Sequence, residues 1–232
     1  MIFSAVVAGV LAGLLLSAVQ RLQVVPIILE AETYEVSEEP GAAVSADGHA
    51  HTHSHSHDAA EEEGWAPKDG AERTSYTVLA NILAGIGFSL LLAAAIMFKN
   101  QSGLKKGLLW GLGGYIAFFA APSLGLLPEI PGTVAADLAS RQIWWGATVV
   151  ATIAGLGMLV FAESILIKGI GVILLVVPHL VGAPHPAEYS GLAPESLADA
   201  FVQATAIANG LFWVVLGGLT GLFLQKMSAS ES

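Results

Sequence analysis

Six apolar stretches, each long enough or nearly long enough to cross a bilayer, constrain this chain more than any other feature. A helix rises about 1.5 Å per residue, so about 20 apolar residues cover roughly 30 Å of hydrocarbon. The stretches are residues 2–25, 76–98, 104–127, 143–162, 165–181 and 201–224. The fifth is the shortest. Only the Glu163-Ser164 step and Lys168 set it apart from the fourth, so the two are expected to form a tight hairpin. Five crossings, with the fifth stretch re-entrant, is the alternative. The first stretch lacks the basic start and small-residue cleavage site of a secretory signal, and is read as a retained helix.

Composition agrees with lipid as the solvent. The chain is 54% hydrophobic and 12% charged, against about 25% charged in an average soluble domain. A soluble protein this apolar would expose large patches and aggregate. The expected fold is an all-α integral membrane protein, a bundle of about six transmembrane helices with a long, disordered, histidine-rich extracytoplasmic loop. Residues 1–29 form the first transmembrane helix, 30–75 the acidic loop, and 76–226 a five-helix bundle. Cysteine is absent, which excludes disulfides, thiolate metal sites and cysteine nucleophiles.

The net charge of -10 is unevenly spread, because most of the 19 acidic residues lie between positions 30 and 72. The remainder is near neutral, so no nucleic-acid partner is expected. Lysines and arginines near helix ends set orientation. With a cytoplasmic N-terminus, Lys99, Lys105, Lys106, Lys168 and Lys226 fall inside, while Arg21, Lys68, Arg73 and Arg141 fall outside. The expected arrangement has both termini cytoplasmic and the loop outside.

That loop carries the strongest chemical signal, H-A-H-T-H-S-H-S-H, with His49, His51, His53, His55 and His57 at every second position. Imidazoles suit borderline divalent metals such as Co, Ni, Zn and Cu. In an extended chain, residues two apart face the same side, and small spacers let the segment wrap an ion. Asp47, Asp58 and Glu61 to Glu63 add a field that concentrates cations. The motif does not choose the metal, since affinity largely follows the Irving–Williams order.

Polar residues inside spans are costly and therefore informative. Asn81 and Asn209 sit near span starts, where helix–helix hydrogen bonding competes with a pathway role. Glu163 lies at a turn and is expected to pair with Lys168. Arg141, beside Gln142, Trp144 and Trp145, reads as an interfacial anchor. His179 stands between Pro178 and Gly182-Ala183-Pro184, with His185 close behind. Proline and glycine there should break the helix and free carbonyls, making His179 a candidate ion ligand. Asn81, Glu163, His185 and Asn209 are candidate pathway residues.

G-x-x-x-G steps at Gly9/Gly13, Gly103/Gly107/Gly111 and Gly217/Gly221 let helices approach closely. They fit packing within the chain or a dimer face. The third and fifth stretches both end in P-x-L-x-x-x-P, at Pro122 to Pro128 and Pro178 to Pro184. A-G-x-G recurs at Ala84 and Ala154. Two successive hairpins sharing these landmarks would be a parallel repeat.

Several segments together resemble the CbtA family of proposed bacterial cobalt transporter subunits. They are V-L-A-G-L-L-L-S-A-V-Q-R-L-Q-V-V-P-I-I-L-E-A-E-T-Y-E near the start, A-P-S-L-G-L-L-P-E-I-P-G from Ala121, A-D-L-A-S-R-Q-I-W-W from Ala136, and P-H-L-V-G-A-P from Pro178. The resemblance covers nearly the whole chain. It implies import of cobalt for cobalamin synthesis across a bacterial inner membrane, with a small single-span, histidine-bearing companion. It also implies Co2+ as cargo, with Ni2+ and Zn2+ also open. No permanently bound cofactor is expected. The chain carries no G-x-x-x-x-G-K-[ST] loop, so coupling to ATP would need another chain. It has no H-E-x-x-H, no G-x-S-x-G and no paired carboxylates in a span, so it is not expected to be an enzyme. The leading reading is a metal-uptake subunit, and the alternative is a non-transporting metal-binding or interaction protein.

Overall fold

The computed structural model describes residues 1–37 and 67–230. The histidine segment at 49–57 lies outside the described residues. All the named elements are helical: α1 (Ile2–Gln23), α2 (Val25–Ser37), α3 (Ala71–Phe98), α4 (Leu104–Tyr115), a π-helical turn (Ile116–Ala120), α5 (Ala121–Ser123), α6 (Leu138–Phe161), α7 (Ile165–Val181) and α8 (Glu195–Ser230).

Four of these, α1, α3, α6 and α8, are long and apolar enough to cross a membrane by length and composition. The expected third span appears in three consecutive pieces, α4, the π turn and α5, which together run over residues 104–123. Pro122 explains the interruption. It lacks an N–H, and its ring collides with the carbonyl four residues back in a regular helix, here that of Phe118. Widening the preceding turn to π relieves that collision, and Ala121 N–H reaches the carbonyl of Ile116 instead. The expected fifth span is α7, a shorter apolar helix of 17 residues.

Residues 30–37 were expected in the loop but belong to α2. Val24, Ile27, Ile28 and Ala31 recur at helical spacing and pack on the bundle, with Ala31 fully buried. A single residue, Val24, separates α1 from α2. Pro26 in the first turn of α2 removes the N–H that would continue one helix into the next.

The helices pair through glycine. Gly9 and Gly13 of α1 meet α3 so closely that a Cβ on Gly9 would stand 2.5 Å from the Cα of Ile86. Gly107 and Gly111 of α4 meet Gly217 and Gly221 of α8 in the same way, and Gly155 of α6 meets Gly171 of α7. The G-x-x-x-G steps therefore face partners within the chain. Gly85 faces α1 whereas Gly155 faces α7. The two hairpins proposed as a repeat thus bury their shared landmarks against different partners, and α3 hardly touches α4. Between the pairs lies an aromatic core. Phe118 of the π turn stacks on Trp213 at 5.4 Å and meets Phe88 edge-on at 4.9 Å.

Chain direction alternates, so helix ends collect at two poles. At one pole, Gly103 N–H donates to the Gly221 carbonyl at 2.8 Å, and Lys99 sits 4.4 Å from the Phe161 ring centre. At the other pole, Arg73 bonds Glu32, and the loops after α5 and α7 pair through Val134 N–H to Ser190 O at 2.9 Å. The first pole holds Lys99, Lys105, Lys106, Lys168 and Lys226, with Glu163 its single carboxylate among the described residues. The second holds Glu30, Glu32, Glu35, Asp69, Glu72, Glu129, Asp137, Glu188, Glu195 and Asp199, with Arg21, Lys68, Arg73 and Arg141 among them.

Candidate functional site

The acidic pole is the candidate site, because His179, His185, Arg141 and both proline-bounded helix ends lie there. Residue 37 and residue 67, which flank the undescribed histidine segment, both lie at this pole. The two ends are tied by a bidentate pair, Arg73 Nη2 and Nη1 donating to the two oxygens of Glu32 at 2.6 and 3.2 Å. Arg73 also bonds Asp69 at 3.0 Å.

His179 is half-buried in the last turn of α7. Pro178 was expected to break the helix, but it lies inside α7, which continues to Val181 and ends at Gly182 with φ of 84°. The final turn closes because Gly182 N–H still reaches the Pro178 carbonyl, at 3.1 Å. That carbonyl also accepts from Trp144 Nε1 at 3.2 Å, so it is occupied twice. The Trp144 and His179 rings meet in a T-shaped arrangement, ring centres 6.1 Å apart. Gly125, in the break after α5, lies against both neighbours. A Cβ there would stand 2.9 Å from that of Ala183 and 2.5 Å from the Trp144 ring. The two proline-bounded helix ends are thus adjacent, with Trp144 between them.

On the other face of α6 lies a groove of about 580 Å³ that sequence analysis missed. Phe118 and Phe119 of the π turn, Leu126 and Trp145 form its apolar walls, and Glu129 and Arg141 mark its polar rim. Arg141, expected as an interfacial anchor, donates from Nη2 to Glu129 at 2.7 Å. Asp137 caps α6 by accepting from the Ser140 hydroxyl and backbone N–H. Those bonds hold its carboxyl below the usual carboxylate range. The available signal was Pro122 itself, since a proline inside a span is often accommodated by local π geometry. Single-turn π segments inside α-helices frequently mark functional sites.

The remaining candidates are spread out. Asn81 donates to Ser17 at 3.1 Å and to Gln20 at 2.7 Å, cross-linking α3 to α1. Asn209 donates to the Thr205 carbonyl of its own helix at 3.0 Å. Glu163 is exposed in the turn between α6 and α7 at the basic pole, with no ion pair to Lys168. A five-residue separation across a non-helical turn does not bring the two side chains onto one face. His185 is exposed and hydrogen-bonded to Tyr189. Among the described residues, no three His, Asp or Glu side chains come together as a metal-holding group.

The family model for CbtA, described as a probable cobalt transporter subunit, matches residues 1–225. The chain belongs to that family. No curated protein and no solved structure matches it.

Proposed function

We propose that this CbtA-family chain is the membrane subunit of an uptake system for a divalent metal, cobalt, with six crossings and both termini in the cytoplasm. The carrying observation is the separation of charge between its poles. Lysines near the ends of spans favour the cytoplasmic side, and the basic pole holds five of them against one described carboxylate. The acidic pole then faces outward, where its field attracts cations. The run over residues 104–123 is about 30 Å long as helix, and the 17 residues of α7 about 26 Å, which makes crossing feasible for both.

In this reading His49, His51, His53, His55 and His57 collect metal above the acidic pole, and His179 receives it at the membrane surface. Asn81 and Asn209 hold structure, since their amides are engaged within the chain. The metal is cargo and the chain has no resident cofactor. A companion subunit, single-span and histidine-bearing, completes the system. A second reading, a membrane metal-binding protein without transport, draws on the lack of a three-ligand group among the described residues.

Radioactive cobalt uptake into cells expressing the chain, with and without its companion, separates the two. Intracellular accumulation that needs both proteins supports the subunit. Surface-bound cobalt removed by an impermeant chelator, with none inside, supports the second reading.

A further inference from the structure

The groove between the π turn and α6 combines an apolar trough with a rim of opposite charges. Its walls include Phe118, Phe119 and Trp145, and at Gly146, which also lines it, a Cβ would meet nothing within 4 Å. The rim pair is incompletely used. Of the five N–H donors of Arg141, only one on Nη2 has a partner among the described residues, and Nε is buried without one. Glu129 accepts through Oε2 alone, leaving Oε1 free. Both side chains keep some solvent exposure. Around the trough, Leu127, Leu138 and Ile143 are exposed apolar residues at the outer margin of the bundle.

We infer that this groove holds one phospholipid whose headgroup carries both a phosphate and a primary ammonium, as in phosphatidylethanolamine. The guanidinium offers directional donors to phosphate oxygens. The free oxygen of Glu129 accepts from the ammonium. An acyl chain lies along the aromatic wall. A net-anionic headgroup is disfavoured by Glu129 on the rim. A phosphocholine head has no N–H to donate to Glu129. The inference rests on α6 crossing a bilayer and does not depend on what is transported, so failed cobalt uptake leaves it standing.

The test uses the full chain in phosphatidylcholine nanodiscs, titrated with phosphatidylethanolamine brominated on its acyl chains. Bromine quenches nearby tryptophan, and the Trp145 component is the difference between parent and Trp145→Phe. Quenching should reach half its maximum at a bulk mole fraction about fivefold lower than with brominated phosphatidylcholine or phosphatidylglycerol, the scale of one charge-assisted hydrogen bond at a partly wet site. Arg141→Gln should remove that difference. Because it also breaks the ion pair, Gly146→Leu is the second variant. It fills the trough, leaves the pair intact, and should likewise remove the difference while melting at or above the parent temperature. Coincident curves for the three lipids in the parent would overturn the inference. So would enrichment that persists in both variants, or enrichment abolished by millimolar inorganic phosphate, which would identify a soluble anion as the ligand.

Discussion

Gly217→Ala should destabilise the protein by about 2–3 kcal/mol, although alanine is the better helix former. A Cβ at residue 217 would stand 2.6 Å from the Cα and N of Gly111. Ordinary contact begins near 3.4 Å, and the obstructing atoms are backbone, which no rotamer change can move. Helices α4 and α8 must therefore separate by about 1 Å, and a gap of that size forfeits up to half of each dispersion contact it opens. Overpacking in a close-packed interior costs about 1–3 kcal/mol. The separation also stretches the Gly103-to-Gly221 backbone bond, now 2.8 Å, and loosens Trp213 against Gly114. The control is Gly87→Ala, because a Cβ there meets nothing within 4 Å. It should be neutral or stabilising by about 0.5–1 kcal/mol through helix propensity alone. Reversible unfolding in mixed micelles, followed by tryptophan emission, gives both values. Equal stability of the two variants would refute close glycine contact as the bond between α4 and α8.

Four further outcomes test the functional reading. Single cysteines replacing His55 and Ser228 should label from opposite sides of intact cells; labelling of both from outside would sink the six-crossing topology. Metal binding by the isolated 30–73 peptide should weaken steeply between about pH 7.5 and about pH 5.5, because protons compete for imidazoles with an unperturbed pKa of about 6.5. Deleting residues 48–58 should reduce uptake at scarce cobalt and spare it when cobalt is plentiful; equal loss at all concentrations would put the segment in the pathway itself. His179→Ala should cut uptake at least about tenfold even at saturating cobalt, with His185→Ala mild, both normalised to inserted protein. Normal uptake by well-inserted His179→Ala would leave that segment a structural cap.

The apolar stretches announced the helices because hydrophobicity over about 20 residues is a strong and local signal. Their ends were less legible, since caps lie outside the apolar windows. Helix α6 starts five residues before the stretch at 143–162, where Asp137 and Ser140 make the cap. Helix α2 was hidden by its glutamates, although Val24, Ile27, Ile28 and Ala31 already traced one helical face. The glycine steps were readable as contacts, but which helix each would meet depends on the fold. That is why the apparent repeat dissolved into two different pairings. The groove beside Arg141 was least visible. It needs Pro122, the π turn, Glu129 and α6 brought together from separate segments, and no local pattern records that.

The interior of the chain bears on how a metal could cross. Ala5, Ala8, Ala12 and Ile96 are wholly buried in the described bundle. Of the buried hydroxyls, Ser89 donates to the Ala5 carbonyl at 2.6 Å, Thr148 to Trp144 at 2.9 Å and Thr152 to Thr148 at 2.7 Å, while Thr205 and Thr220 on α8 have no hydrogen-bond partner among the described residues. A cation needs several oxygen or nitrogen ligands to replace its water, and these hydroxyls are spaced along helices and do not ring a cavity. The glycine seams α1–α3 and α4–α8 are too tight to part without losing backbone contact. The α6–α7 pair is different, because its direct contacts with the rest run mainly through the π turn and α5. Under the proposed uptake function, a route would run either along that weaker seam or against a second chain at the bundle margin. The family's description as a subunit favours the second chain. In that case the described residues supply the acidic mouth and the scaffold, and the ligands of the inner route are shared between two proteins.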